Sequence, residues 1–319
     1  MEIFYGFRTE HTQELAFACV KPDIINCWVS QYGIWSVIEG YFDWPDGANY
    51  ELIDSSALAA ISDLLSNHTK YPPVKLERIK LPPGFFHPRI WRGIVGESEF
   101  RNTYNNLNAR KVYQHIYTES VVAAESLLLG VKDIFKVIEP SEINGSVYGH
   151  RLRELLILLC TEIEACWVGV IKANGLAPKA KGRYTTANYT EVCTPLRLTE
   201  WKVILKDYSY RVFEPFRYWN VMRPTSSIPW YEAYNKVKYD REENFSRATL
   251  DAVLEAAAAL HILQLAQWGL GVFDIMHDNR SSIFTHLMIP NIEIAEVYLA
   301  FPPESKAFNS PIPWGELYP

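Results

Sequence analysis

Several things are scarce in this 319-residue chain, and each scarcity removes a class of protein. Cysteine is represented by Cys19, Cys27, Cys160, Cys166 and Cys193, an odd set without a Cys-x-x-Cys pair. That argues against a zinc knuckle, a thioredoxin-like redox site or a disulfide framework, and a reduced compartment is the simplest reading. Cys160 and Cys166 fall in an apolar helical run, where a thiol packs as a small hydrophobe. Basic residues are not in excess: 31 Lys and Arg stand against 37 Asp and Glu, for a net charge of -6. This is the balance of an ordinary globular protein rather than a strongly basic nucleic-acid binder, although a local basic groove stays open. Long hydrophobic runs are missing too. Stretches such as residues 155 to 160 fall far short of the about 20 residues a bilayer span needs. The start, Met1-Glu2-Ile3-Phe4-Tyr5, has no basic segment leading into an apolar one. A cytoplasmic protein without a membrane segment is expected. The 16 glycines form neither Gly-x-Gly-x-x-Gly nor a Walker loop, and Gly-x-Ser-x-Gly, His-Glu-x-x-His and EF-hand spacings are absent. No metal and no organic cofactor are therefore expected.

What is present is apolar and aromatic: 48% hydrophobic residues, with 14% aromatics, suffice for a substantial core. Residues 1 to 105 are rich in aromatics, Pro and Gly, with helical spacing confined to Leu58, Ile61, Leu64 and Leu65. Residues 71 to 95 read as short extended pieces between Pro72-Pro73 and Pro82-Pro83, so this region is expected to be mixed α/β. Further on, the pattern predicts a helix over residues 111 to 138, closed by Pro140. A second helix is predicted over 147 to 173, its stripe running through Leu152, Leu155, Leu156, Leu159, Ile163, Cys166 and Val170 and its C-cap at Asn174-Gly175. Residues 175 to 229 break the pattern. Leu196, Leu198, Trp201, Val203 and Leu205 alternate as a strand would, and residues 212 to 216 are the expected hairpin partner. Pro229 starts a helical turn, Asp240-x-x-Glu243 has the form of a capping box, and residues 248 to 268 run unbroken to Gly269. The expected fold is mainly α: a helical bundle over residues 106 to 270 with a small β-hairpin insertion, followed by an irregular segment, 271 to 319, packing on the core.

The densest polar stretch is Tyr234-Asn235-Lys236-Val237-Lys238-Tyr239-Asp240-Arg241-Glu242-Glu243-Asn244. It reads either as a solvated helix entrance or as a patch of amide, phenol and ammonium able to meet phosphates. With Trp230-Tyr231 before it and Asn244-Phe245 and an alanine-rich helix after it, this string resembles the Tyr-Asn-x-x-Lys-His-x-Arg segment of HEPN-class proteins. The match covers about forty residues directly, on the quoted string. Members of that class are small α-helical proteins, many of them metal-independent ribonucleases of prokaryotic defence or stress systems and others catalytically degenerate. The resemblance implies RNA contacts by Asn235, Lys236, Lys238, Arg241 and Asn244, and a homodimer with its site between protomers. It also departs from the class, because Tyr239 stands where the His is expected, and a phenol with a pKa of about 10 moves protons poorly near neutrality. The candidates for a catalytic role are Lys238, Tyr239, Arg241 and, separately, His261.

His261 lies on the inward stripe of the last helix and reads as either a hydrogen-bonded core residue or a histidine at a cleft. Two further pairs, Arg110/His115 and Arg280/His286, meet the bare Arg-then-His spacing of the class, which chance alone can produce. Arg151, Arg153, Glu154, Glu162 and Glu164 flank the 147 to 173 stripe as a salt-bridged border. No Glu-x-x-His pair turns them into a di-iron site. A rival expectation is a non-catalytic interaction or scaffold module that binds a protein partner through the aromatic-rich first hundred residues.

Overall fold

A computed structural model of the chain describes residues 2–10, 15–31, 34–44, 50–67, 73–81, 84–95, 113–179, 182–208, 210–273, 281–299 and 310–311. The chain divides into two compact units: Met1–Phe86 with Arg92–Ala109 and Ile292–Pro311, and His87–Trp91 with Arg110–Asn291 and Ile312–Pro319.

The first unit overturns the mainly helical expectation. It holds an antiparallel sheet of five strands, so the described residues are not plainly a helical bundle. Strands β1 (Ile3–Thr9), β2 (Leu15–Lys21), β3 (Ile24–Gln31) and β4 (Ile34–Gly40) form a meander, and β5 (Pro73–Arg78) pairs with β1, giving the order β4-β3-β2-β1-β5. The β2–β3 turn is Pro22-Asp23, with Asp23 at φ 69, a left-handed conformation that Asp tolerates.

Both faces of the central strands are covered. Helix α1 (Tyr50–Ser66) lays Ile53, Ala57, Ile61 and Leu65 over Tyr5, Phe7, Ala18 and Cys27. The Tyr5 hydroxyl donates to Asp54 Oδ1 at 2.6 Å. On the opposite face Phe4, Phe17, Cys19 and Trp28 pack beneath Ile79, Ile294, Val297 and Leu299. A Cβ at Gly6 would collide with Ile294 and Ile79, so this close approach needs glycine. Small parallel pairs complete the unit: β6 (Phe85–Phe86) with a strand at Ser310–Pro311, and β7 (Ile94–Val95) with one at Tyr298–Leu299. Residues 292 to 299 are thus built into the sheet unit.

The second unit contains α2 (Gln114–Ile134), α3 (His150–Ala173), α4 (Thr186–Tyr189), α5 (Pro229–Tyr239), α6 (Arg241–Asn244) and α7 (Leu250–Trp268). The stripe read on α3 is buried throughout, and Gly175, at φ 71, ends the helix as a left-handed cap. Helix α7 packs against α2, α3 and α5. Every one of its residues except Asp251 and Glu255 is buried. Such a helix is mostly apolar on every side because it is surrounded, and its run of alanines, Ala256 to Ala259, lets neighbouring backbones come close.

Two local expectations are corrected. Strand β8 (Lys202–Leu205) pairs with β9 (Phe284–Met288), not with residues 212 to 216, which supply one bridge, Val203 to Phe213. Pro215 has no N–H with which to extend that bridge into a hairpin. Asp240 makes no side-chain cap bond, and α7 begins instead after Thr249, whose Oγ1 accepts from the Ala252 N–H at 3.2 Å. None of the described helices is long and apolar enough to cross a membrane.

Arg89, at φ 55, buries its guanidinium in the second unit, where Nε donates to Gln267 Oε1 at 2.8 Å and the group lies 5.2 Å from the Trp268 ring centre. Gly169 on α3 makes the room, since a Cβ there would overlap the guanidinium. Gly169→Ala should therefore destabilise the fold by about 2 kcal/mol despite its better helix propensity, as read by urea unfolding. A variant as stable as the wild type would show that Arg89 is not held in place.

Candidate functional site

A cavity of about 590 Å³ opens in the second unit where α7 begins. Asp251 and Glu255 lie four apart on its first turns, one above the other on the same face, and Arg211 meets both. The guanidinium Nη2 stands 3.3 Å from Asp251 Oδ1 and 3.0 Å from Glu255 Oε1. Asp251 is further held by the Tyr210 hydroxyl at 2.6 Å; burial, helped by this hydrogen bond, pushes that phenol up to about 12. Glu214 is matched by Arg217 at 3.0 Å and by Lys202 at 3.1 Å.

Glu255 is the least satisfied member. Its Oε2 is buried without a hydrogen-bond partner among the described residues, and so is Arg211 Nε. Burial pushes its carboxyl up to about 7, and neighbouring Asp251 and Glu214 add to the rise. Arg211 works the other way but is shared between two carboxylates, so desolvation wins. Arg217 and Arg247 also line the opening, as do the exposed Tyr218 and, from α5, the Trp230 indole. The arrangement offers a proton-transfer group poised near neutrality beside three guanidinium groups and an aromatic face.

The residues picked from the sequence are divided by the fold. Asn235, Lys236, Tyr239 and Asn244 line one shallow, open depression together with Glu232 and Asp240. Lys236 is paired with Glu232 at 2.9 Å, Asn235 donates to the Tyr231 carbonyl at 2.9 Å, and Tyr239 is exposed. Lys238 does not join them. Its Nζ donates to the Tyr234 hydroxyl at 2.7 Å, in a chain that continues through Glu164 to Tyr231, whose hydroxyl donates to Glu164 Oε1 at 2.6 Å. Glu164 thus serves as an acceptor for two phenols rather than as part of a salt-bridged border. The Tyr231 phenol is pushed far up by burial and by this carboxylate. Arg241 is exposed. Asn244 Oδ1 accepts from Arg247 Nε at 2.9 Å, which joins the depression to the arginine-lined cleft.

His261 is buried as expected for a core residue, but neither ring nitrogen has a hydrogen-bond partner among the described residues. Burial pulls its pKa down to about 3, so the ring is neutral. His115 is exposed, with Nδ1 3.4 Å from Glu119, and His286 sits in β9. Arg110 and Arg280 lie outside the described residues. Most described aromatics of the first ninety-five residues, including Tyr5, Phe7, Phe17, Trp28, Phe42 and Phe86, are buried rather than displayed for a partner.

The Asp251/Glu255 pair was not singled out from the sequence, yet a signal exists. They are the charged residues of a helix with no other charge from Leu250 to Trp268. A carboxylate on a surrounded helix must face a cation or a cavity. No family model, curated protein or solved structure matches the chain, so the site itself carries the functional reading.

A carboxyl whose folded pKa lies above its ordinary 4.5 stabilises the fold below that value and loses the contribution as pH rises through about 7. Between these limits Glu255 should cost the wild type about 3 kcal/mol of stability. Glu255→Gln should lack that fall, which thermal unfolding across the range will read. An identical pH dependence in the two proteins would show that Glu255 titrates normally.

Proposed function

We propose that the second unit binds single-stranded RNA in the cleft lined by Arg211 and Glu255 and cleaves it by acid–base chemistry. The observation that carries this reading is a buried, half-satisfied carboxyl with a pKa of about 7 in a cleft lined by Arg211, Arg217 and Arg247. The site of chemistry moves from Tyr239 to Glu255, while Asn235, Lys236 and Asn244 serve as an outlying contact surface for the strand, reached through Arg247. Lys238, tied to Tyr234, supports α5 rather than the strand.

Glu255 in its carboxylate form takes the proton of a ribose 2′-hydroxyl. The 2′-oxygen then forms a bond to the adjacent phosphorus while the bond to the 5′-oxygen breaks. A cyclic 2′,3′-phosphate remains, and the leaving oxygen takes its proton from water. Arg217 and Arg247 stabilise the charge on the phosphoryl oxygens, and exposed Tyr218 offers a face for a base. All of these groups come from one chain, so the site needs no second protomer.

Incubation with mixed single-stranded RNA in EDTA tests the proposal. Cleavage to cyclic phosphates, an acid limb in the pH–rate profile near 7, and a loss of at least about 100-fold in Glu255→Gln are expected. Arg247→Ala should weaken RNA binding about fivefold and flatten its salt dependence. A folded protein that neither binds nor cleaves RNA overturns the reading.

A further inference from the structure

Tyr231, on α5, is buried, and its hydroxyl donates at 2.6 Å to Oε1 of Glu164 on α3. Three residues further along α3, and so on the same face as Glu164, lies Trp167. Its ring is fully buried and stands 5.4 Å from that of Tyr231, at 73° between planes. Trp167 also meets Trp219, with 4.9 Å between ring centres and 30° between planes. Trp219 is half-buried, in the segment that precedes α5. Three oxidisable rings thus run at aromatic contact distance from a partly exposed indole to a buried phenol.

The rings differ in what can take a proton from them. Trp167 Nε1 is buried with no partner among the described residues, and Trp219 Nε1 donates at 3.0 Å to the Pro224 carbonyl, which is too weak a base to accept the proton. An indole that loses an electron in either place keeps its proton and stays a strongly oxidising radical cation. The Tyr231 phenol, by contrast, has a carboxylate at proton-transfer distance. In the resting protein burial and that carboxylate keep the proton on the phenol. Once the ring is oxidised it becomes a far stronger acid than a carboxylic acid, and the proton crosses to Glu164.

We propose that Tyr231 and Glu164 form a redox-active pair that is oxidised through Trp219 and Trp167. A one-electron oxidant at the surface, of the class of oxidising radicals or high-valent metal complexes, takes an electron from Trp219. Trp167 replaces that electron and is itself restored by one from Tyr231, whose hydroxyl proton passes to Glu164 Oε1. A neutral tyrosyl radical beside a carboxylic acid results. A reductant such as ascorbate returns the electron, and the proton goes back from Glu164 to the phenol oxygen. None of these four residues is among the described residues that line the arginine-lined cleft, so the proposal does not depend on the RNA reading.

A ruthenium polypyridyl complex attached to the intact chain through Met222→Cys, an exposed position close to Trp219 in sequence, supplies the oxidant when flashed with an electron-accepting quencher. Cys193→Ser and Tyr218→Phe, present throughout, keep the label off a half-buried thiol and the oxidation off an exposed neighbouring phenol. The indole radical-cation absorption should appear first and give way to phenoxyl absorption, with a tyrosyl signal in electron paramagnetic resonance. Tyr231→Phe should abolish the phenoxyl signal and prolong the indole signal at least about tenfold. Glu164→Gln keeps an oxygen acceptor for the phenol but no base, and should slow phenoxyl formation at least about tenfold with circular dichroism unchanged. Trp167→Phe should slow it by a similar factor. Should Trp167→Phe fail to fold, the other two variants still decide. An undiminished phenoxyl signal in folded Tyr231→Phe, an unchanged rate in Glu164→Gln or in folded Trp167→Phe, or decay of the indole signal with no phenoxyl formed would each overturn the proposal.

Discussion

The burial of α7 on almost every side is the constraint from which the rest of the second unit follows. A helix can be surrounded only if its side chains are small where neighbouring backbones approach and apolar where they fill space. The alanines at 256 to 259 and the leucines and isoleucine around them meet both demands. The same removal of water that favours those residues works against any charge. It lifts the Glu255 carboxyl toward its neutral form and holds the His261 ring neutral, two opposite pKa displacements with one cause. Six positions apart, the two groups lie about 9 Å from each other along the axis and about 120° apart around it. They therefore line different cavities rather than one, and the two glutamines of the helix, Gln264 and Gln267, are hydrogen-bonded within the unit.

In the first unit the governing fact is that the central strands of the sheet, β1 and β2, are covered on both faces. Helix α1 covers one side and residues 292 to 299 cover the other. Closeness on the second side is bought by Gly6, whose missing side chain leaves the space that Ile294 and Ile79 take up. That explains why Phe4 and Tyr5, or Cys19 and Val20, can be consecutive and all apolar.

This two-sided burial is also why the sheet was not legible. Alternation of polar and apolar residues marks a strand with one face in water. Here Ile3 to Phe7 and Leu15 to Val20 are apolar runs without polar alternation, and the available clue was turn chemistry, Pro22-Asp23 between two apolar runs. Helices were easier. The stripe on α3 was read residue by residue because one side of that helix does face water, and Gly175 and Gly269 marked the ends of α3 and α7. Strand β8 was recognised but not its partner, because β9 lies some eighty residues further on, and no local pattern reports a pairing over that separation. Of the site residues, the patch around Asn235 and Asn244 was visible as a charge-rich string. Glu255 was not, because its interest arises from what surrounds it and not from its neighbours in sequence.

The energetic position of Glu255 is the strongest reason to treat the cleft as more than a structural ion pair. A pair that existed to stabilise the fold would hold its carboxylate below the ordinary range, with both oxygens satisfied. Glu255 does the reverse: a cation stands 3.0 Å away, yet the carboxyl rises to about 7 and one oxygen has no partner among the described residues. Arg211 cannot serve Asp251 and Glu255 equally, and Asp251 has the better geometry, with Tyr210 as a second donor. A glutamine would fill the same space without the cost of ionisation. A group that weakens the fold near neutral pH, in an open cleft and among arginines able to hold an anion, has the character of an acid–base residue maintained at the expense of stability.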